Sequence, residues 1–281
     1  MAWLLVVFMA PYVGAIAYLL LGETSIGRSR AARLSKALQA LPRPQAAPGW
    51  ENLPVNAETI ERFQELFLVG GSISGYPAVA GNRATLMADS NAAIAALVHD
   101  IDQARQSVHL LFYIWLDDHN GTAVADALKR AAARNVTCRA IVDDVGSRAF
   151  IRSRLWREMG AAGVHLRRAL RVGNPLIRMC NGRIDLRNHR KIAVIDNRIT
   201  YCGSQNCADP AFLPKARFGP WVDALMRFEG PVVRQNQHLF ASDWMGNGGD
   251  DIAGLLAEPL PAPQPGFVAQ VIASGPTYRA S

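Results

Sequence analysis

Alternating strand-like and helix-like segments run from Gly70 to about residue 245, and this alternation constrains the fold more than any other feature of the sequence. Ile94, Leu97 and Ile101 recur at helical spacing, with Ser90 as a capping residue. The stretch 108–115 is instead a continuous apolar and aromatic run, typical of a buried strand. The alternation predicts a mainly parallel α/β sandwich.

The remaining segments extend this pattern towards the end of the chain. Helices are predicted over 121–134 and 152–160 and from Pro231 onwards, because apolar residues fall on one face of each. Strands are predicted over 136–142 and 222–228, and the strands at 191–196 and 199–202 should pair around Asn197-Arg198. The predicted organisation is a membrane helix at 1–22, a basic segment and linker at 23–69, a catalytic domain at 70–245 and a further linker at 246–281.

The first part of the chain is uncharged and apolar. From Ala2 to Leu21 there is no charged residue, and about 20 apolar residues suffice for a helix to cross a membrane. Basic residues follow, Arg30 and Lys36 among them, which predicts that the rest of the chain lies in the cytoplasm. A cleaved signal peptide is the alternative, although the run lacks a basic segment in front of it.

Composition narrows the class of partner. The chain of 281 residues is 50% hydrophobic and 19% charged, and its formal net charge is 30 − 23 = +7. Such a balance suits an anionic surface, either phospholipid headgroups or nucleic acid, and charge alone does not separate the two. The four cysteines form no CxxC pair, so we interpret them as reduced thiols and predict no metal site.

One short stretch carries a chemical pattern, Asn188 to Asn206 with the sequence NHRKIAVIDNRITYCGSQN. Residues two apart in an extended segment share a face, so His189 and Lys191 should point to the same side. A histidine nitrogen can attack phosphorus to form a covalent intermediate, and a lysine supplies positive charge beside it. Ser204 and Asn206 are neutral donors that would hold the other phosphate oxygens.

Asp196 completes the spacing His-x-Lys-x4-Asp and belongs with His189 and Lys191 to the predicted catalytic set. Its strand parity is opposite to that of His189, however. We therefore expect Asp196 to have a structural role rather than to face the phosphate. The other five histidines have no partner motif, and we assign none of them to catalysis.

The pattern resembles the signature of the phospholipase D superfamily, and several other stretches resemble its cardiolipin synthases. They are 70–77, 111–118, 142–148, 185–191 and 220–231. The resemblance implies a phospholipase D-like α/β/α sandwich in which Asp223 orients the catalytic histidine. It also implies transfer of a phosphatidyl group from one phosphatidylglycerol to another through phosphatidyl-histidine, at the bacterial inner membrane, with no metal or organic cofactor.

The chain departs from the family's pattern in two respects. The family has two membrane helices where one is predicted here, and a second His-x-Lys motif that is absent after Asn206. The second histidine is needed to protonate the leaving alkoxide and later to deprotonate the acceptor. A homodimer that pairs two copies of His189 would supply it, and so would a separate C-terminal half; we favour a truncated half.

Two other classes of function stay open. A homodimeric phosphodiesterase or nuclease would also use one motif per chain, although the membrane segment argues against it and we expect no nucleic acid partner. A membrane-bound half without activity, retained as an interaction module, is the third hypothesis. The intact motif argues against it.

Overall fold

The computed structural model describes residues 2–18, 27–54, 56–172, 186–212 and 222–273. Eight strands in this part of the chain form one sheet. They are β1 (Val79–Leu86), β2 (Ser107–Phe112), β3 (Thr137–Asp143), β4 (His165–Ala169), β5 (Ile192–Ile195), β6 (Ile199–Gly203), β7 (Leu225–Glu229) and β8 (Phe267–Ala269). Their order across the sheet is β4-β3-β2-β5-β6-β7-β1-β8.

The described α-helices fall before, between and after these strands. They are α1 (Ala2–Met9), α2 (Pro11–Ala17), α3 (Arg28–Ala40), α4 (Ala57–Arg62), α5 (Gln64–Ser74), α6 (Ser90–Gln103), α7 (His119–Ala133), α8 (Arg148–Arg152), α9 (Arg154–Ala161) and α10 (Val233–Gly246). One hydrophobic core lies between the sheet and α6, α7 and α9. A second core lies on the opposite face, under α10. The architecture is therefore an α/β/α sandwich.

The sheet is mixed, and the prediction of a mainly parallel sheet is wrong. Only the pairs β2–β3 and β3–β4 are parallel, and each of the other five described pairs is antiparallel. The change of direction is clear at the β5–β6 hairpin, where Asp196 and Asn197 adopt φ values of 47° and 54°. Asp and Asn tolerate this left-handed conformation better than most residues. The chain therefore reverses there, and β6 pairs antiparallel with β5.

The expected single membrane helix is interrupted. Residue Ala10 lies outside the helical region, with φ −141° and ψ 76°, and α2 begins at Pro11. A residue before proline is driven away from helical angles, and proline has no N–H to continue the ladder of the preceding helix. No helix within the described residues is both long and apolar enough to cross a membrane. The end of the apolar run, 19–21, lies outside the described residues.

Parts of both predicted linkers are packed onto the domain. Helix α3, from the first linker, lies against α10. The second linker contributes β8, which pairs with β1. The buried guanidinium of Arg234 in α10 donates to the carbonyl oxygens of Leu255, Glu258 and Pro259, which fixes this later segment to the helix.

The first core gives a direct test of the packing. Leu128 on α7 is 0% exposed, whereas Leu86 at the end of β1 is 62% exposed. We expect Leu128→Ala to lower the free energy of unfolding by about 2–5 kcal/mol, because it removes buried contacts and leaves a cavity. Leu86→Ala should change it by less than about 0.5 kcal/mol. Urea denaturation followed by circular dichroism measures both; equal losses would contradict this core assignment.

Candidate active site

The predicted site residues other than Asp196 come together because four neighbouring strands end or begin at one edge of the sheet. Strand β2 ends there, β5 begins, β6 ends and β7 begins, since each of these strands is antiparallel to the next. The residues just outside the strand ends line a cleft of about 410 Å³. Its wall includes Tyr113 after β2, His189 and Lys191 before β5, Ser204 and Asn206 after β6, and Asp223 before β7.

Side chains alternate along the extended segment 186–191 that leads into β5. His189 and Lys191 face the cleft. Asn188 and Arg190 point to the other side, where both donate to Oδ2 of Asp243 on α10, at 3.0 and 2.8 Å. This anchoring holds the backbone of the segment against α10 and leaves the histidine and lysine directed into the cleft.

His189 lies at the exposed mouth of the cleft, with one face of its ring covered. Its imidazole stacks on the ring of Tyr113, with centroids 3.9 Å apart and planes inclined by 16°. This partial burial lowers the pKa of His189, and the positive charges of Lys191 and Arg187 act in the same direction, while Asp143 opposes them. The ring is thus held in its neutral form, which is the nucleophilic form.

Lys191 lies close to the backbone of His189 and to the ring of Tyr113. Its Nζ donates to the carbonyl oxygen of His189 at 2.7 Å and lies 5.9 Å from the centroid of the Tyr113 ring. Burial lowers the pKa of Lys191, and the charge of Asp223 counters that shift. The ammonium group therefore lies between the histidine segment and the carboxylate.

Ser204 and Asp223 form one hydrogen-bonded unit in the cleft. The Ser204 hydroxyl donates to Oδ1 of Asp223 at 2.6 Å, and its oxygen accepts from the amide of Ala224 at 3.0 Å. Among the described residues no hydrogen bond links Asp223 to the His189 ring. The structure therefore places the expected orienting carboxylate beside the serine and the lysine.

Asn206 offers donors to the cleft. Its Oδ1 accepts from the amide of Ile114 at 3.2 Å, which leaves the Nδ2 group without an acceptor among the described residues. An amide fixed in this way is suited to bind a phosphate oxygen.

Asp196 lies at the other end of β5, away from the cleft. Its carboxylate accepts from the amides of Arg105, Gln106 and Ser107 at 2.8, 2.8 and 2.9 Å. Its own amide donates to the carbonyl oxygen of Ser107 at 2.8 Å. These bonds tie the start of β2 to the β5–β6 hairpin.

Sequence reasoning assigned no role to three residues that support the site. Asp143 and Arg187 form a buried ion pair with Oδ2 and Nη2 2.9 Å apart, and Tyr113 covers His189. All three fall within stretches that carry the family resemblance, but no motif spacing distinguishes them. No group of three or more His, Cys, Asp or Glu side chains in the described ranges is arranged to hold a metal ion.

Residues 97–244, more than half of the chain, match the family described as "Cardiolipin synthase, PLD-like domain". The chain therefore belongs to this family. Residues 1–23 match the family described as "Phospholipase_D-nuclease N-terminal".

Curated relatives are similar over 99% of this chain. The protein named cardiolipin synthase A is 38% identical in Erwinia tasmaniensis and 36% identical in Yersinia pseudotuberculosis. The chain spans 58% of the length of these relatives.

Solved structures with a similar arrangement include the phospholipase D family member Nuc of Salmonella typhimurium and NucT of Helicobacter pylori. Their identities are 16% and 18%, each with a TM-score of 0.43. Each similarity covers 60% of this chain, together with 99% of Nuc and 98% of NucT.

The bonds of Asp196 predict an effect on stability rather than on the cleft. We expect Asp196→Ala to lower the free energy of unfolding by about 2–4 kcal/mol, because three backbone amides lose a charged acceptor. The matched control is Asp126→Ala, which removes a surface carboxylate paired with Lys129 and should cost less than about 1 kcal/mol. Similar urea midpoints for the two variants would contradict this assignment.

Proposed function

We propose that this chain performs phosphatidyl transfer of the cardiolipin synthase type, in which two phosphatidylglycerol molecules give cardiolipin and glycerol. The observation that carries the proposal is that His189, Lys191 and Asn206 line one cleft. Membership of the cardiolipin synthase family supports the lipid substrate. So do the names of the curated relatives.

In the first step the neutral imidazole of His189 attacks the phosphorus of phosphatidylglycerol. The bond from phosphorus to the headgroup glycerol breaks, and phosphatidyl-histidine forms as the glycerol oxygen takes up a proton. Lys191 and the amide of Asn206 stabilise the negative charge that develops on the phosphoryl oxygens. In the second step a hydroxyl of another phosphatidylglycerol attacks, loses its proton and releases His189.

The proton must come from a second group near the leaving oxygen. His238 is the only later histidine in the sequence, but it is buried and its Nδ1 lies 2.8 Å from the hydroxyl of Tyr76. We therefore propose that a second motif, from a dimer mate or from a separate C-terminal half, supplies the general acid and base. Asp223 would then act through Ser204 and Lys191.

The N-terminal region supports a location at the bacterial inner membrane, with the catalytic domain in the cytoplasm. Phe8 on α1 is 88% exposed and Tyr12 on α2 is 87% exposed. Basic residues such as Arg33 and Lys36 follow. Apolar side chains beside basic ones suit a surface of anionic lipid.

The function is tested with labelled phosphatidylglycerol and the full chain in mild detergent. Wild type should form cardiolipin and glycerol, alone or after addition of a C-terminal half that carries a second motif. His189→Ala should abolish product, because the nucleophile is lost. The control His165→Ala changes an exposed histidine on β4 and should leave the rate unchanged.

Cardiolipin formed without an added C-terminal half would indicate paired copies of His189. Cardiolipin formed only when that half is added would indicate a site split between two chains. If no lipid product forms in either case but a nucleic acid phosphodiester is cleaved, the nuclease hypothesis replaces this one. If neither reaction occurs, both enzyme hypotheses are wrong for this chain and the interaction-module hypothesis is the one left.

The pKa of His189 predicts the acid side of the pH profile. Because this pKa lies below the ordinary value of 6.5, the ring stays mainly neutral down to pH 6.5. The value of kcat/KM should therefore decline only below that pH. In Lys191→Met one of the two positive charges that lower the pKa of His189 is gone. The acid limb of the residual activity should therefore move to higher pH. An acid limb at or above 6.5 in wild type, or one unmoved in the variant, would contradict this account.

A further inference from the structure

The ring of His189 is held in an unusual way for a nucleophilic histidine. Such a ring is ordinarily oriented by a hydrogen bond to one nitrogen from a neighbouring carboxylate or carbonyl. Within the described part of the chain neither nitrogen of His189 has such a bond. Its close contact is instead the face of Tyr113, 3.9 Å away between centroids.

A glycine approaches Tyr113 closely, at its ring and at its backbone carbonyl. A Cβ added to Gly146 would lie 2.9 Å from Cε2 and 3.1 Å from Cδ2 of Tyr113, and 2.5 Å from its carbonyl oxygen. Any side chain at 146 would therefore push the tyrosine away. The Ser147 hydroxyl fixes the same residue by donating to the Tyr113 carbonyl oxygen at 3.0 Å.

One carboxylate fixes both sides of this stack. Oδ1 of Asp143 accepts from the amides of Val145 and Gly146, each at 2.9 Å, and so shapes the turn behind the tyrosine. The same carboxylate binds the guanidinium of Arg187, two residues before His189, at 3.0–3.1 Å from Nε. The support of Tyr113 and the segment that carries His189 are thus parts of one buried assembly.

We propose that Tyr113 is a positioning residue for His189: the face of the tyrosine ring, kept in place by the close approach of Gly146, sets the plane of the imidazole that attacks phosphorus. The proposal rests on the proposed function, in which His189 is the nucleophile.

The chemistry explains why a ring face is suited to this role. The attacking lone pair lies in the plane of the imidazole, so rotation of that plane turns the lone pair away from phosphorus. Stacking fixes the plane and leaves both nitrogens open at the edge of the ring. Attack also makes the imidazole cationic, and the electron-rich face of a tyrosine favours an adjacent cation. None of this needs the tyrosine hydroxyl.

The first test compares Tyr113→Leu with the conservative Tyr113→Phe in the lipid transfer assay. Loss of the ring should reduce kcat by about 100-fold, in line with misplacement of a reacting group by about 1 Å, with little change in KM. Phenylalanine keeps the face and should restore kcat to within about threefold of wild type. Equal kcat for wild type and the leucine variant would overturn the proposal.

A second readout does not depend on activity. In proton NMR of the full chain, assigned with His189→Ala, the His189 ring signals should be shifted upfield by the Tyr113 ring current. The shift should persist in Tyr113→Phe and vanish in Tyr113→Leu.

A matched pair of glycine variants tests the support without touching the tyrosine. Gly146→Ala should displace the ring and reproduce both effects of Tyr113→Leu. Gly160→Ala is the control, because its added Cβ would meet only Cδ1 of Leu166 at an ordinary 3.7 Å. If Tyr113→Leu fails to fold, Gly146→Ala decides the question by the same signals.

The two proposals fail in different ways. If wild type transfers no phosphatidyl group under any condition but the His189 signals follow the Tyr113 and Gly146 variants, the proposed function is wrong and the positioning role stands. If transfer occurs and the signals do not respond to these variants, Tyr113 does not position His189.

Discussion

The buried carboxylate of Asp143 is the interaction on which the site most depends. Its side chain is 1% exposed and that of Arg187 is 4% exposed, so both charges have left water and rely on each other. Removal of one partner from such a pair costs about 3–5 kcal/mol, because the other charge stays buried. The pair joins the end of β3 to the segment that leads into β5, two elements that do not pair in the sheet.

Helix α10 holds the segment that carries His189 through Asp243. Its many polar residues do not indicate that the helix is buried. Many of its polar side chains are buried, because the sheet lies on one side of the helix and α3 on the other. Some of their polar atoms are bonded: Gln237 Oε1 lies 3.0 Å from His109 Nδ1, and Asn236 donates to Thr200 Oγ1 at 3.1 Å. Burial lowers the pKa of His109 to about 4, so this histidine is neutral in the core.

Local patterns in the sequence predicted those features that depend on neighbouring residues. The apolar run at 108–115 corresponds to β2, whose six residues are all buried, and the strands around Asn197 form the expected hairpin. Cys138 in β3 is buried, whereas Cys202 in β6 is exposed. Burial depends on which face of a strand is covered, and the sequence near Cys202 does not contain that information.

Long-range contacts account for what the sequence did not predict. The stack of Tyr113 on His189 and the bond from Ser204 to Asp223 join residues from different strand ends. Strands β1 and β8 were not expected, because each finds its partner far along the chain. Their pairing depends on the assembled sheet rather than on a local signal.

The convergence of four strand ends has a consequence for synthesis of the protein. The cleft draws on residues from Tyr113 to Asp223, so no early portion of the chain contains a complete one. A nascent polypeptide cannot assemble the cleft until residue 223 has left the ribosome. A chain still being translated therefore lacks the complete cleft, whatever substrate surrounds it.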